Sequence, residues 1–472
     1  MAASMDEINH YDLIVIGSGP GGRRAAIQAA KFSKKVLVVE KHDRVGGVSV
    51  HTGTIPSKTL RETALNLSGW REREFYGQSY RVKQNITAVD LKNRLHMTLD
   101  HEVEVLKHQF ARNTVETLTG EASFLDAKKI KVVLDDSEVL YFTSDKYIIA
   151  AGTKPYRPDH IPFDGTRVFD SDEILAMKRM PRSLAVIGGG VIGVEYATIF
   201  SALDIPITLI EARETILDFV DKEIVAELMH ELRERGVAMR LGCKIKDVQR
   251  IKNGRCTITM DNGREVRTDM ILFAAGRYGA TEELNLSAMG LQPDERGRLK
   301  VDKRTFQTEV PNIYAVGDII GFPSLASTSM EQGRIAACNA FGQSAYDPPE
   351  FFPYGIYAVP EISTIGMTEE EAKENAIPFE VGIARFRETS RGHIMGLDSG
   401  MMKMIVSIET RKLLGVHIIG EGATELIHIG QAVLNLGGPL EYFVENTFNY
   451  PTLAEAYKIA ALDVWNRMPR SN

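Results

Sequence analysis

Cysteine is scarce: three in 472 residues, Cys243, Cys256 and Cys338. None stands in a CxxC pair or at a metal-ligand spacing. That excludes a disulfide scaffold, and an odd, sparse set suits a reducing cytoplasm. No uncharged apolar run reaches the roughly 18 residues of a membrane helix. The first ten residues carry Asp6 and Glu7 and have no apolar stretch, so they do not read as a secretion signal. Positive charge is not in excess. With 63 acidic and 56 basic side chains the net charge is −7, which gives no bulk attraction to nucleic acid or an anionic membrane. The 11 histidines show no HxxxH or HExxH spacing, so no metal site is expected. Low-complexity tracts are absent as well. What remains, 44% hydrophobic and 25% charged, is the composition of a folded globular chain, and its length suggests about three domains.

Residues 11–17 form a short apolar run ending in glycine, which reads as a buried parallel strand. The turn Gly17-Ser-Gly19-Pro-Gly-Gly22 follows, then an alanine-rich helical stretch (23–32) and a second strand (35–40) that ends in Glu40. The order recurs: strand 183–188, turn Gly188-Gly-Gly190-Val-Ile-Gly193, helix 194–203, strand 207–211 ending in Glu211. In each copy the acid lies 18 positions after the last glycine, and the copies align without a gap at an offset of 171 residues. A lone GxGxxG is weak evidence, but here both copies have the strand, turn, helix and acid that a dinucleotide fingerprint requires. The glycines allow a tight turn and close approach to a pyrophosphate, and the helix start offers unpaired N–H groups. Glu40 and Glu211 would each accept hydrogen bonds from an adenosine ribose. Two such sites imply two dinucleotides, a resident flavin and an exchanging nicotinamide being the productive pair.

Elsewhere, residues 62–118 read as charged and largely helical, with Arg71, Arg73, Lys107 and His108 on solvated faces. Short β-like runs follow at 129–134, 139–142 and 147–152, the last closing on Gly152. Glycine-ended strands recur at 270–276 and 312–318. The C-terminal third alternates strands (401–407, 413–419) with amphipathic helices (424–436, 453–467), after a proline-marked linker near residue 350. Ser324, Ser327 and Thr328 are candidate N-caps of a helix running through 334–341, whose positive end could face the flavin pyrimidine edge.

The stretch Gly46-Gly47-Val-Ser49-Val-His-Thr-Gly-Thr54-Ile-Pro56-Ser-Lys58 is the most telling. Pro56 suits the first turn of a helix. Lys58 reads either as a solvated lysine or as a cation aimed at a flavin ring. With both glycine turns, this stretch resembles the FAD-dependent pyridine nucleotide–disulfide oxidoreductases over essentially the whole chain. Their redox-disulfide members carry two cysteines here, in a GG-x-C-x4-C-IPSK pattern. In this chain those positions are Ser49 and Thr54, and no other cysteine lies nearby. Thiol-using members also end with His-Pro-Thr-x-x-Glu. Here the element is Tyr450-Pro451-Thr452-Leu-Ala-Glu455, and tyrosine, which as a residue type titrates at about 10, is a poor proton shuttle at neutral pH.

The resemblance implies an α/β fold: two Rossmann-like dinucleotide-binding domains and a C-terminal α+β dimerisation domain. The expected boundaries are 1–155 (FAD, first part), 156–280 (NAD(P)), 281–347 (completing the FAD domain) and 348–472 (interface). Runs such as 314–318, 321–326 and 448–457 look like members that exchange hydride between NADPH and NAD+. The implied chemistry is a reversible ping-pong transfer through flavin N5, with no redox disulfide. The cofactor is FAD, the substrates are NAD(H) and NADP(H), and the assembly is a homodimer at least. Nucleic acid and membrane are not expected partners. Implied catalytic residues are Lys58 and Glu195, the family glutamate that pairs with the motif lysine. Gly17, Gly19, Gly22, Glu40, Gly46, Gly47, Ser49, Gly152 and Asp318 are expected at the FAD, with Asp318 on its ribityl chain. Gly188, Gly190, Gly193, Glu211, Arg213, Gly276 and Arg277 are expected at the nicotinamide dinucleotide. Glu211 should repel a 2′-phosphate, and Arg213 is the nearest cation able to relieve that repulsion. Alternatives are a dihydrolipoamide-dehydrogenase-like or diaphorase (quinone-reducing) enzyme, and a non-catalytic FAD-binding subunit.

Overall fold

The computed structural model describes residues 9–251 and 254–468. Asp6 and Glu7 lie outside that range. The chain divides into two compact units. The first comprises Met1–Thr59, Asn93–Tyr156 and Gly276–Pro348, the second Leu60–Lys92, Arg157–Ala275 and Pro349–Asn472.

In the first unit the apolar runs become a mainly parallel sheet, in the order Glu116–Thr119, Val36–Glu40, Asn9–Ile16, Val139–Ile149. Ile313–Ala315 adds in parallel to the end of Val139–Ile149, while Lys129–Val133 and Glu121–Asp126 extend that strand's first half as an antiparallel meander. Val36–Glu40 is buried along its whole length because both sheet faces are covered. One face is covered by the helices Pro20–Lys31 and Ala326–Ala340, which meet through Ala25, Ala26, Ala29, Ala336 and Ala337. These helices touch backbone to backbone: a Cβ on Gly333 would overlap the Gly21 carbonyl. The other face packs Tyr11, Phe124 and Tyr147 with Leu284, Leu286 and Leu299.

The second unit holds a fully parallel five-stranded sheet, in the order Ala238–Arg240, Ile207–Ile210, Leu184–Ile187, Met270–Phe273, Val168–Asp170. The helix Val191–Ala202 has every residue from Gly193 to Ala202 buried, so its apolar sequence is core rather than amphipathic. A five-stranded antiparallel sheet follows, in the order Tyr354–Ile356, Ile362–Gly366, Leu413–Ile419, Met401–Ser407, Phe379–Arg385. The helices Ala423–Asn435 and Glu455–Arg467 cover it through Ile427, Val433, Tyr457 and Ala460. The fold is α/β, with both strand–turn–helix–strand repeats where the sequence suggests them.

Two local expectations are corrected. Arg73 is buried, not solvated: its guanidinium forks onto Asp204 at 3.0 and 3.1 Å and lies over the Trp70 ring, so a charged helix residue is held inside by a carboxylate and an aromatic face. The second concerns the helix Ala326–Ala340, whose N-cap is Leu325 and not a hydroxyl residue. Ser324 Oγ donates to the Gly321 carbonyl and Thr328 Oγ1 to those of Pro323 and Leu325, so these side chains are spent on carbonyls. No helix of the described residues is long and apolar enough to cross a membrane.

Candidate functional site: two glycine turns, each closed by a buried acid

In the first unit the turn leaves strand Asn9–Ile16 at Gly17, whose φ is +100°. A Cβ there would overlap the Ala150 carbonyl, and one on Gly22 would overlap the Gly17 carbonyl, so strand and helix approach as only glycine allows. Gly19 is the N-cap of Pro20–Lys31, with no side chain capping the helix start and nothing within 4 Å of an added Cβ. Gly46 and Gly47 fold back against this turn. Gly46 N–H donates to Ser18 Oγ at 2.8 Å, and a Cβ on Gly47 would stand 2.9 Å from Gly19 Cα. Glu40, 6% exposed, closes the turn. Its Oε2 accepts from Ser18 N–H (2.9 Å) and Ser18 Oγ (2.5 Å), and its Oε1 from His42 N–H (3.1 Å).

Further along, Gly152 has φ +69° and open space around an added Cβ. Next to it Arg277 donates from Nε to Thr153 Oγ1 (2.9 Å) and from Nη2 to the Thr153 carbonyl (2.8 Å). Asp318 faces this pair. Burial raises its carboxyl above the ordinary value, offset in part by the Arg277 charge and a hydrogen bond from Thr153. Gly276 and Arg277, expected at the nicotinamide dinucleotide, thus fall in the first unit, Arg277 beside Asp318. Gly317 N–H is held by Gln332 Oε1 at 2.8 Å, which fixes the backbone before Asp318. The helix Ala326–Ala340 also starts without a side-chain cap.

These features fit FAD. An open glycine N-cap in front of uncapped N–H groups suits a pyrophosphate, a buried acid at the strand tip suits a ribose, and a desolvated carboxyl at Asp318 suits a polyhydroxyl chain. Ser49, at a thiol position of redox-disulfide relatives, donates its hydroxyl to the Gly46 carbonyl at 3.1 Å. Lys58 is the fifth residue of helix Thr54–Ser68, half-buried, with Nζ 3.3 Å from Ser57 Oγ. The three cysteines are buried free thiols.

The second unit repeats the turn. Gly188 has φ +115°, a Cβ there would overlap the Ala274 carbonyl, and one on Gly193 would overlap the Gly188 carbonyl. Gly190 is the uncapped, open N-cap of Val191–Ala202. Glu211, 7% exposed, accepts from Gly189 N–H (2.5 Å) on Oε2 and Arg213 N–H (2.9 Å) on Oε1. It also pairs with the Arg213 side chain, Nε to Oε1 and Nη2 to Oε2, both 3.1 Å. Burial would raise the Glu211 carboxyl, but the Arg213 and Gly189 hydrogen bonds outweigh it and hold the group below the ordinary range. The Glu211 hydrogen bond likewise raises the Arg213 guanidinium, whose outer Nη1 donates to Asp218 Oδ1 at 2.6 Å. Glu195, on the buried helix, accepts from Tyr357 N–H at 2.8 Å.

Sequence reasoning missed Ser18, Thr153 and Asp218. Ser18 sits inside the first glycine motif and was the easiest to find, being the one hydroxyl in that turn.

The pyridine nucleotide-disulphide oxidoreductase family model matches residues 11–333, and that of the corresponding dimerisation domain matches residues 352–461. A soluble pyridine nucleotide transhydrogenase of Mycobacterium bovis (BCG Pasteur) is 50% identical over 467 residues, 98% of this chain and 99% of that protein. Another protein so named, from Colwellia psychrerythraea, is 44% identical, covering 98% of this chain and 100% of its own. Among solved structures, the HOCl-induced flavoprotein disulfide reductase RclA of Escherichia coli superposes with a TM-score of 0.86 at 26% identity, covering 96% of this chain and 99% of that one.

Proposed function

The chain belongs to the pyridine nucleotide–disulphide oxidoreductase family, and from there we propose that it passes hydride reversibly between NADPH and NAD+, without a redox disulfide. The observation that carries this reading is the Glu211–Arg213 pair. An acid that suits the free ribose of NAD is bonded to a cation that suits the 2′-phosphate of NADP, in one turn. The names of the relatives point the same way.

FAD would be held by Gly17, Gly19, Gly22, Glu40, Gly46, Gly47, Ser49, Gly152 and Asp318, and when bound it supplies a two-electron hydride carrier. The nicotinamide dinucleotides would use Gly188, Gly190, Gly193, Glu211 and Arg213 one after the other, which gives ping-pong kinetics. Arg277 steadies Asp318 rather than the nicotinamide side in this reading. Lys58 is assigned as the cation that meets the negative charge arriving with hydride, and Glu195, fixed by the Tyr357 amide, as a catalytic-centre carboxylate. Hydride travels with both its electrons, so no separate proton has to be relayed. Tyr450, 69% exposed with its hydroxyl 2.5 Å from Ser390 Oγ, is not needed as an acid or base. The match of residues 352–461 supports a homodimer at least, and the three unpaired cysteines suit the cytoplasm.

Anaerobic mixing of the flavin-loaded protein with NADPH tests the proposal. The flavin absorbance should bleach, then return on adding NAD+ as NADH forms. Bleaching that only a quinone reverses would move the assignment to a diaphorase.

A further inference from the structure

Arg213 has two carboxylates on it. Glu211 takes the Nε and Nη2 edge, each at 3.1 Å, and Asp218 takes Nη1 at 2.6 Å. Both Arg213 and Asp218 are solvent-accessible, their side chains 45% and 46% exposed, whereas Glu211 is buried. Taken together, the two acids and one guanidinium of this trio carry one net negative charge before any nucleotide arrives. A ribose hydroxyl is indifferent to that excess. A 2′-phosphate, carrying about −1.5 to −2 near neutral pH if it titrates like other phosphate monoesters, meets it directly. It also competes for Nη1, because a two-bond grip on phosphate draws on paired guanidinium N–H groups.

We propose that Asp218 is a specificity-determining residue of the second nucleotide site: it holds the outer nitrogen of Arg213 and tilts the site toward the unphosphorylated ribose. It rests on the reading of that turn as a shared NAD(H)/NADP(H) site and adds a residue that neither the glycine fingerprint nor the acid spacing contains. Asp218 acts through Arg213, not by touching the ribose. It lies five residues beyond Arg213, in the loop between strand Ile207–Ile210 and helix Lys222–Glu234. Removing its charge weakens the hold on Nη1 and makes the three groups neutral together, so a 2′-phosphorylated ligand gains while one with a free 2′-hydroxyl is untouched. For a charge change several ångströms away at a solvent-exposed edge, the gain is about five- to tenfold. It should fade with salt, because both partners are open to screening.

The test is calorimetric titration of the flavin-loaded protein with 2′,5′-ADP and with 5′-AMP, at low and high ionic strength, for the wild type, Asp218→Asn and Asp218→Glu. Asp218→Asn should bind 2′,5′-ADP about five- to tenfold more tightly at low salt, with the gain shrinking at high salt and 5′-AMP changing less than about twofold. Asp218→Glu, which restores the charge, should return the wild-type ratio. An unchanged ratio in Asp218→Asn, or an equal change for both ligands, overturns the assignment of Asp218 and leaves the shared-site reading standing. If the wild type binds only 5′-AMP and Asp218→Asn admits 2′,5′-ADP, the role of Asp218 holds and the shared-site reading falls. If 2′,5′-ADP binds to neither, both are overturned.

Discussion

The two glycine turns use the same backbone device. In the first, Glu40 accepts the N–H one residue past the leading glycine (Ser18) and the N–H two residues past itself (His42). In the second, Glu211 does the same with Gly189 and Arg213. They part in the remaining donors. Glu40 is completed by the neutral hydroxyl of Ser18, Glu211 by the charged fork of Arg213. One acid is therefore met only by neutral dipoles and suits a single kind of ribose. The other is compensated by a half-exposed cation that a phosphate can recruit. A permanent cofactor and an exchanging pair of substrates would call for that difference.

The sharpest way to break the comparison is steric. Gly22→Ala and Gly193→Ala each drive a methyl into a backbone carbonyl and force strand and helix apart. Each should cost about 1–3 kcal/mol of stability and about a hundredfold in affinity at its own turn, for a displacement near 1 Å. Gly22→Ala should purify with little flavin. Gly193→Ala should stay yellow but resist bleaching by NADPH and NADH alike. Loss of flavin from both variants would mean the turns are not separate sites.

Neutralising the acids comes next. Glu40→Gln should weaken FAD about tenfold, the scale of a lost charge-assisted hydrogen bond, as read by flavin release on dilution. Glu211→Gln should reverse a preference instead, raising KM for NADH about tenfold while that for NADPH falls or holds. A uniform rise in both would make Glu211 a structural clamp only. Arg213→Ala is the milder complement: KM for NADPH should rise about tenfold, for a lost two-bond phosphate contact, with NADH within about twofold. Equal effects would remove Arg213 from the phosphate.

The smallest effect is on pH dependence. The Glu211 carboxyl is held below its ordinary value, so it stabilises the fold fully above about pH 4.3 and the contribution is lost as pH falls through the depressed value. In urea unfolding between pH 5 and 3, the stability gap between wild type and Glu211→Gln should narrow on acidification. A gap that stays constant would show that Glu211 ionisation adds nothing to folding.

The repeats were legible because they are local: a strand, a turn, a helix and an acid at a fixed offset lie within one βαβ unit, and backbone geometry sets the rest. The main-chain clamps on Glu40 and Glu211 follow from that offset but depend on loop dihedrals that residue identity does not announce. The placement of Arg277 was not legible. It meets Thr153 across 124 residues of chain, a contact made by pairing the short strands Thr153–Pro155 and Arg277–Gly279. The start of the helix Ala326–Ala340 misled for a different reason. Serine and threonine favour N-caps on average, yet here their hydroxyls bond carbonyls of the preceding turn, and a leucine takes the cap position. Arg73 shows the limit of reading charge as exposure: a guanidinium goes inside when a carboxylate and an indole meet it there.

The hydrogen bonds by which the Ser18 and Gly189 amides donate to the acids at the far strand tips bear on timing as well as shape. Each loop is stapled into its receiving contour while the chain folds, so the freedom lost in ordering it is settled once rather than at every encounter. A visitor that must come and go each cycle then meets a rigid berth, and its dwell time is set by the strength of its own contacts rather than by the slow settling of a floppy loop.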